Sequence, residues 1–204
     1  PLSALDLKLR EGLRAELRQI YRQQHSTMLY ATHDYHGAIA IADRLGIIDG
    51  GVLQQAGTIE EIFARPASIT VGRLVGSPSM AFFATVAEEG SLSIRDGAQR
   101  LPLAAFGGVQ GERGGLTLGA WPEDIEIVAA DALGANAGTV YAVDNRGFDR
   151  AVQIDSPAGS FRKVVPSGFA FEQGERVGFR LPGQASFLFD TETGRRVSQT
   201  GEGR

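Results

Sequence analysis

Imidazole is the most versatile functional group in this sequence, because it can bind a metal, transfer a proton or donate a hydrogen bond to an anion. The chain has three histidines, His25, His33 and His36. It has no cysteine, and no carboxylate stands at a clear metal-ligand spacing from these histidines, so we predict no metal site. His33 differs from the other two because it directly follows a short apolar run.

The run before His33 is Thr27–Thr32 (TMLYAT), which is short and mostly apolar and therefore predicts a buried strand. In open parallel α/β sheets, ligands bind outside the carboxyl ends of the strands. An imidazole at such a position can donate a hydrogen bond to an anion such as a phosphate oxygen. His33 is therefore the best single candidate for a functional residue.

Two other catalytic patterns do not occur in the sequence. It contains no GxxxxGK[ST] loop that could cradle a phosphate and no GxSxG nucleophile elbow. Adjacent acidic residues occur as Glu60-Glu61, Glu88-Glu89 and Glu123-Asp124. Such pairs are typical of solvated turns and helix starts, so we do not interpret them as acid–base couples.

The elements that position His33 are predicted from periodicity and capping patterns. Apolar residues recur at three- and four-residue spacing over Ala4–Gln24, which predicts an amphipathic helix. Ser3 and Asp6 have the spacing of a capping box at its start. A second helical stretch passes through Ala38 and Ile41. Alternation of strands and helices favours an α/β layer.

A hairpin and a further helix are predicted next. Gly46–Gln55 indicates two short strands joined at Asp49-Gly50-Gly51, which is a good hairpin turn sequence. Thr58 and Glu61 repeat the capping-box spacing and open a short helix that Pro66 closes.

The sequence pattern changes at Gly76–Ser79, where Gly, Ser and Pro cluster. Beyond it, short β-leaning runs bounded by turn residues are typical of a small barrel or sandwich. We therefore predict an α/β part over residues 1–80 and an all-β part over residues 81–204. The predicted strands are Ser91–Arg95, Leu116–Ala120, Ile125–Val128, Gly138–Val143, Arg150–Ile154, Phe161–Val165, Arg176–Arg180 and Ser186–Phe189.

The composition excludes some classes of protein. A net charge of -4 over 204 residues argues against nucleic acid as a partner. No stretch approaches the roughly 18 apolar residues of a membrane-spanning helix, and no signal-peptide pattern opens the chain. The lack of cysteine fits the cytosol. Because Pro1 stands directly before a helix signal, we expect the natural protein to extend upstream.

The order of several local sequences resembles that of ABC transporter ATPases. Pro1–Asp6 with Lys8–Arg10 resembles their D-loop and the helix after it, and Thr32–Asp34 (THD) resembles their switch-histidine loop. Gly119–Asp124 (GAWPED) resembles the signature of the TOBE/OB-like domain found in the carbohydrate-uptake branch of the family. Further matches in family order are Ala42–Arg44, Gly57-Thr58, Glu61–Phe63, Arg65-Pro66, Gly76–Met80, Leu188–Asp190 and Thr193-Gly194.

This resemblance implies a fold and roles for individual residues. Residues 1–80 are expected to form part of a RecA-like nucleotide-binding domain, and residues 81–204 an OB-like (TOBE) β-barrel domain. In this family, two subunits enclose two ATP molecules, each with Mg²⁺. His33 is then the catalytic residue that contacts the γ-phosphate, and the D-loop residues Ser3 and Asp6 help to form the nucleotide site of the opposite subunit.

The resemblance also implies that the Walker A, signature and Walker B motifs lie upstream of Pro1. The parent protein is then the ATP-hydrolysing subunit of an importer for sugars or related solutes, in the maltose/glycerol-phosphate branch. The 204-residue chain alone is expected to be inactive. The implied partners are a second copy of the subunit, transmembrane permease subunits and, indirectly, a solute-binding protein. The implied location is the cytoplasmic face of the cell membrane.

Two alternatives stay open. The chain could be a non-enzymatic regulatory or ligand-binding TOBE module, or an unrelated β-barrel domain with an α/β extension. The sequence also departs from the family pattern: Tyr35 and Gly37 stand where Gln and Glu are usual, Trp121 stands where Arg is usual, and Asn145–Phe148 stands where a Leu-Gly-type turn is common.

Overall fold

The structure, a computed structural model, describes residues 7–24, 27–88, 90–106 and 115–197. The chain divides into two compact units, Pro1–Pro66 and Ala67–Arg204. This division falls before the boundary that we predicted near residue 80. The reason is the helix Ile69–Leu74, whose first backbone N–H donates to the carbonyl oxygen of Gly194 at 2.8 Å and so ties it to the end of the β part.

The described part of the first unit forms three helices and one hairpin. Among its described residues the elements are α1 (Leu7–Gln24), α2 (Tyr35–Ile41), β1 (Leu45–Asp49), β2 (Val52–Gly57) and α3 (Ile59–Ala64). Both helices and the hairpin predicted before Thr58 are therefore present. The predicted capping box of Ser3 and Asp6 lies outside the described residues.

The β1–β2 hairpin turns where the sequence predicted. Asp49 pairs with Val52, which leaves Gly50 and Gly51 as a two-residue loop. Both glycines have positive φ, +57° and +77°, and a type I′ turn requires positive φ at both positions. Glycine at both positions therefore accounts for the tight connection.

The capping box of α3 is also confirmed. The backbone N–H of Glu61 donates to Thr58 Oγ1 at 3.2 Å, and the N–H of Thr58 donates to Glu61 Oε2 at 2.8 Å. The two hydrogen bonds satisfy donors that the first turn of a helix leaves free. The helix ends at Ala64, two residues before Pro66, as predicted.

The predicted buried strand at Thr27–Thr32 is wrong. The segment has no regular secondary structure, and the Leu29 side chain is 98% exposed. A central parallel strand needs hydrogen-bonding neighbours along both edges. No strand in the part of the chain that the structure describes pairs with this segment, so its apolar residues have no sheet to enter.

The second unit is dominated by antiparallel strands that form two curved five-stranded sheets. It opens with α4 (Ile69–Leu74) and contains short 3₁₀ helices at Leu103–Phe106 and Pro122–Asp124. Its strands are β3 (Ala81–Glu88), β4 (Ser91–Ile94), β5 (Arg100–Pro102), β6 (Leu116–Ala120), β7 (Glu126–Val128), β8 (Asn136–Asn145), β9 (Asp149–Ser156), β10 (Gly159–Pro166), β11 (Arg176–Arg180) and β12 (Ser186–Asp190).

The ten strands of the second unit divide equally between the two sheets. One sheet has the order β12-β6-β3-β4-β5, and the other has the order β10-β9-β8-β11-β7. The sheets approach each other where the N–H of Ala84 on β3 donates to the carbonyl of Ala158 at 2.9 Å. This arrangement confirms the predicted OB-like β domain.

An aromatic cluster joins the sheets in the core. Phe83 of β3 stacks on Phe179 of β11 with ring centroids 5.7 Å apart, and Phe161 of β10 lies 5.2 Å from Phe179. All three rings are buried. Offset-stacked and tilted contacts at these distances add to the free energy gained by burying the rings.

All eight predicted strands of the β part are present, each end within two residues of its predicted position, while β3 and β5 were missed. β5 is only three residues long and ends at Pro102, so it gives almost no periodic signal. β3 follows Met80 directly and has adjacent phenylalanines, Phe82 and Phe83, instead of a strict alternation.

No described helix is both long and apolar enough to cross a membrane.

Candidate functional site

His33 lies between the irregular segment 27–32 and α2, and its side chain is exposed. The next residue, Asp34, is the N-cap of α2 and accepts a hydrogen bond from the N–H of Gly37 at 3.0 Å. The N–H of Asp34 donates in turn to Thr32 Oγ1 at 3.0 Å. His33 is thus flanked on both sides by residues whose backbone conformation is held by hydrogen bonds.

Two side chains of α1 connect that helix to the C-terminal end of α2. The Tyr21 hydroxyl donates to Asp43 Oδ2 at 3.0 Å, and Arg18 Nη1 donates to the carbonyl oxygen of Ala40 at 3.3 Å. The hydrogen bond and the negative charge of Asp43 raise the pKa of Tyr21 above its ordinary value of 10.0. These contacts hold α2, and with it the segment that carries His33.

Tyr35, which stands where the family usually has Gln, has a packing role. Its ring centroid lies 6.3 Å from that of Phe63 on α3, at a tilt of 50°. A tilted pair at this distance is a favourable aromatic contact. The departure from the family pattern therefore links α2 to α3, one residue beyond the N-cap Asp34.

Ser3, Asp6 and His25 lie outside the described residues. His36 is the second residue of α2. Among the residues that the structure describes, no group of three or more His, Asp or Glu side chains could hold a metal ion.

The signature GAWPED forms the crossing between the two sheets of the second unit. Its first two residues end β6, and Pro122–Asp124 form the 3₁₀ helix that leads to β7 in the other sheet. The Trp121 side chain is buried, and a Cβ placed on Gly76 would come within 3.0 Å of Trp121 Cζ3. Trp121, which replaces the usual Arg, therefore packs against backbone inside this unit.

Lys163 of β10 binds this crossing and was missed from the sequence. Its Nζ donates to the carbonyl oxygens of Pro122, Glu123 and Ile125 at 2.8, 2.9 and 2.7 Å. Burial lowers the pKa of Lys163 below its ordinary value, and the charges of Glu123 and Asp124 oppose that shift. All three hydrogen atoms of the ammonium group can thus donate hydrogen bonds to the carbonyl oxygens of this one turn.

A sequence signal for Lys163 did exist. In a strand, residues two apart point to the same face. Lys163 stands between Phe161 and Val165, both of which are buried, so it occupies a core-facing position of β10. A charged residue at such a position requires partners, because an unpaired buried charge is costly. The alternation identifies the position, but it cannot identify carbonyl groups some forty residues earlier as the partners.

A half-buried polar side chain, that of Gln99, was also missed. Its side chain accepts from the N–H of Leu181 and donates to the carbonyl of the same residue, each at 2.8 Å. Asn136, which is buried, donates to Gln99 Oε1 and accepts from the backbone N–H of Gln99, each at 3.1 Å. The side-chain amide of Gln99 thus bonds both the N–H and the carbonyl of Leu181, as the backbone of a neighbouring strand would. We therefore assign Gln99 a structural role.

Comparison with known proteins finds relatives that match nearly the whole chain. No family model matches the chain. Among curated proteins, it is 32% identical over 199 residues to an sn-glycerol-3-phosphate import ATP-binding protein, UgpC 1, of Rhizobium johnstonii, covering 97% of this chain and 53% of the relative. It is 37% identical over 202 residues to UgpC of Escherichia coli O6:H1, covering 97% and 55% respectively.

A structural comparison finds the molybdate-bound cytoplasmic protein ModG, which matches 56% of this chain and 96% of its own at 11% identity. The TM-score of this match is 0.40. The sequence matches carry the assignment, although the chain spans only about half the length of the curated relatives. They confirm the resemblance found in the sequence: the chain is related, along nearly its whole length, to the ATP-binding subunits of ABC-type importers.

Proposed function

We propose that this chain is part of the ATP-hydrolysing subunit that drives an ABC-type importer for sugars or related solutes, sugar phosphates included. The observation that carries the proposal is the match of 97% of the chain to sn-glycerol-3-phosphate import ATP-binding proteins. The intact subunit then binds ATP with Mg²⁺ and pairs with a second copy. It works with transmembrane permease subunits at the cytoplasmic face of the membrane and, through them, with a solute-binding protein.

In this proposal, His33 contacts the γ-phosphate, and Ser3 and Asp6 belong to the loop that helps to form the opposite nucleotide site. The exposure of His33 and the hydrogen-bonded residues on both sides of it support the assignment. An imidazole N–H directed at a phosphate stabilises charge that develops during phosphoryl transfer. We propose that the 204-residue chain does not hydrolyse ATP alone, because its sequence has no phosphate-cradling loop.

A chimera tests the role of His33. This chain replaces the matching segment of the E. coli relative, so that the rest of the subunit supplies the nucleotide-binding loops. We expect the chimera to hydrolyse ATP and His33→Ala to reduce kcat on the order of 100-fold, as removal of one charge-stabilising donor does. His36→Ala is the matched control and should leave kcat within a few-fold. An active chimera whose kcat is unchanged by His33→Ala contradicts the proposal, as does ATP hydrolysis by the 204-residue chain itself.

A second candidate function is a regulatory or ligand-binding module without enzymatic activity. It is favoured by the second unit, which has a continuous buried core of its own. Calorimetric titration of the full chain with sugars and oxyanions distinguishes the two functions. Saturable binding that persists in the His33→Ala variant supports this second function, while its lack leaves the ATPase role as the better account.

A further inference from the structure

We propose that the carbonyl groups of Pro122, Glu123 and Ile125, here called the carbonyl cage, form a binding site for a primary ammonium ion that Lys163 occupies within the same chain. The three oxygens lie 2.7 to 2.9 Å from Lys163 Nζ. Distances in this range are those of strong hydrogen bonds from a charged donor. Occupancy of the cage determines the conformation of the turn between the two sheets.

The choice of residue supports a specific ammonium site. The chain has 20 basic residues, and only Lys8 and Lys163 are lysines. An ammonium group is a compact charge whose three hydrogens diverge from one nitrogen, whereas a guanidinium group is planar and directs its hydrogens outward within that plane. Three oxygens around one nitrogen match the ammonium geometry. A chain that otherwise uses arginine almost throughout therefore has lysine where arginine cannot make the same contacts.

The cage has a negative environment that adds to this preference. Carbonyl oxygens at the end of a 3₁₀ turn carry partial negative charge, and of these three that of Pro122 also accepts a hydrogen bond within the turn, from the N–H of Ile125 at 3.3 Å. The exposed carboxylates of Glu123 and Asp124 lie in the same turn and attract the ammonium group as well. A cation with three donors satisfies the carbonyl oxygens and the charge at once.

The position of the cage gives it a structural consequence. The turn joins β6 of one sheet to β7 of the other, and Lys163 stands on β10, an edge strand of the second sheet. The ammonium group therefore ties that edge to the crossing between the sheets. Without it, the carbonyl groups of Glu123 and Ile125 lose this donor, whereas that of Pro122 keeps its hydrogen bond from the N–H of Ile125.

The test uses Lys163→Ala and the emission of Trp121. Trp121 is the only tryptophan of the chain and is directly followed by the cage, so its emission reports the turn itself. We expect the variant to show a Tm lower by about 5–10 °C and a red-shifted emission, because the ring gains contact with water. Unchanged emission in a folded Lys163→Ala variant overturns the proposal.

Chemical rescue separates ammonium binding from a general packing effect. Ethylammonium carries the three donors of the missing side chain and should restore the Tm and the emission of Lys163→Ala in a saturable way. Tetramethylammonium at the same ionic strength has no N–H donor and should restore neither. Equal effects of the two salts contradict the proposal.

Arg162→Ala is the matched control. Arg162 is the neighbouring residue on β10, is exposed and pairs with Asp144. Its loss should leave the Trp121 emission and the response to ethylammonium unchanged. A red shift in this variant as large as in Lys163→Ala counts against the proposal, since any loss of charge from β10 would then suffice.

If Lys163→Ala does not fold, the unaltered chain provides the measurement. In a sample labelled with ¹⁵N-lysine, the ammonium group of Lys163 should give a signal with slow hydrogen exchange, because all three hydrogens are bonded. Lys8→Arg assigns it by removing the other lysine signal. An ammonium group of Lys163 that exchanges as fast as free lysine overturns the proposal.

Discussion

The two units of this chain differ in how far they bury their large apolar residues. In the second unit, the large aromatic residues of two sheets meet in one core, and Phe83 and Phe179 are fully buried. In the first unit, Leu29 is 98% exposed, and Ile48 and Val52 of the hairpin are 66% and 60% exposed. A two-stranded hairpin alone is only marginally stable, whereas ten strands in two packed sheets enclose a core.

This difference in burial shows that local sequence patterns form secondary structure in both units but do not by themselves give a buried core. Some antiparallel strands of the second unit pair with their neighbours in sequence, as β8, β9 and β10 do through consecutive hairpins, whereas others, such as β12 with β6, pair across a long stretch of chain. The first unit has well-formed local elements, capped and turned as predicted, but little buried apolar surface among them. We therefore expect substitutions in the second unit to change stability much more than substitutions in the first.

The largest effect is expected for Phe179→Ala. Removing a fully buried ring from the centre of the aromatic cluster should lower the free energy of unfolding by about 3–5 kcal/mol. Urea unfolding followed by Trp121 fluorescence measures the change in the second unit. Phe148→Ala removes the same ring where it is 97% exposed and should change the value by less than about 0.5 kcal/mol. Similar losses in both variants contradict the comparison.

A smaller effect is expected for Thr58→Ala in the first unit. The substitution removes the acceptor for the N–H of Glu61 and breaks the capping box of α3, which should cost about 1 kcal/mol. Faster amide hydrogen exchange over Ile59–Ala64 measures it. Glu60→Gln is the control, since Glu60 lies in the same turn but outside the capping box. A loss as large as that of Phe179→Ala would show that the first unit is as tightly coupled as the second.

The smallest effect concerns the titration of Tyr21. Because Asp43 raises the pKa of Tyr21, the folded chain holds this proton more tightly than the unfolded chain does. The stabilisation is complete below the ordinary pKa of 10.0 and is lost as the pH rises through the raised value. Asp43→Asn should return the phenol titration, followed by ultraviolet absorbance, towards 10.0. An unchanged titration contradicts the contact, and Asp49→Asn is the control.

Much of the fold could be predicted because its signals are local. Gly50 and Gly51 specify the hairpin turn through their positive φ, and Thr58 with Glu61 specifies a helix start. The failure at Thr27–Thr32 has the opposite cause: a β-like pattern describes a side-chain preference, but a strand exists only where another strand bonds to it.

For the candidate sites, the sequence identified His33 and the GAWPED signature through their types and order. His33 stays a prediction for the intact subunit. The partner of the signature turn could not be predicted from the sequence. Lys163 bonds carbonyl groups some forty residues away, and every residue has a backbone carbonyl, so residue types do not indicate which carbonyls are bound. Gln99 likewise reaches Leu181, far along the chain.

The sequence by itself determined the resemblance to importer ATP-binding subunits, most short-range elements and the β-rich character of the second part, since each depends on neighbouring residues or on motif order. Only the tertiary structure decided that α4 belongs with the β unit, that residues 27–32 stay outside any described sheet, and that Lys163 and Gln99 are bound by distant backbone groups. Those outcomes depend on which surfaces meet after the chain has folded, and hydrogen-bond partners are then chosen by proximity in space.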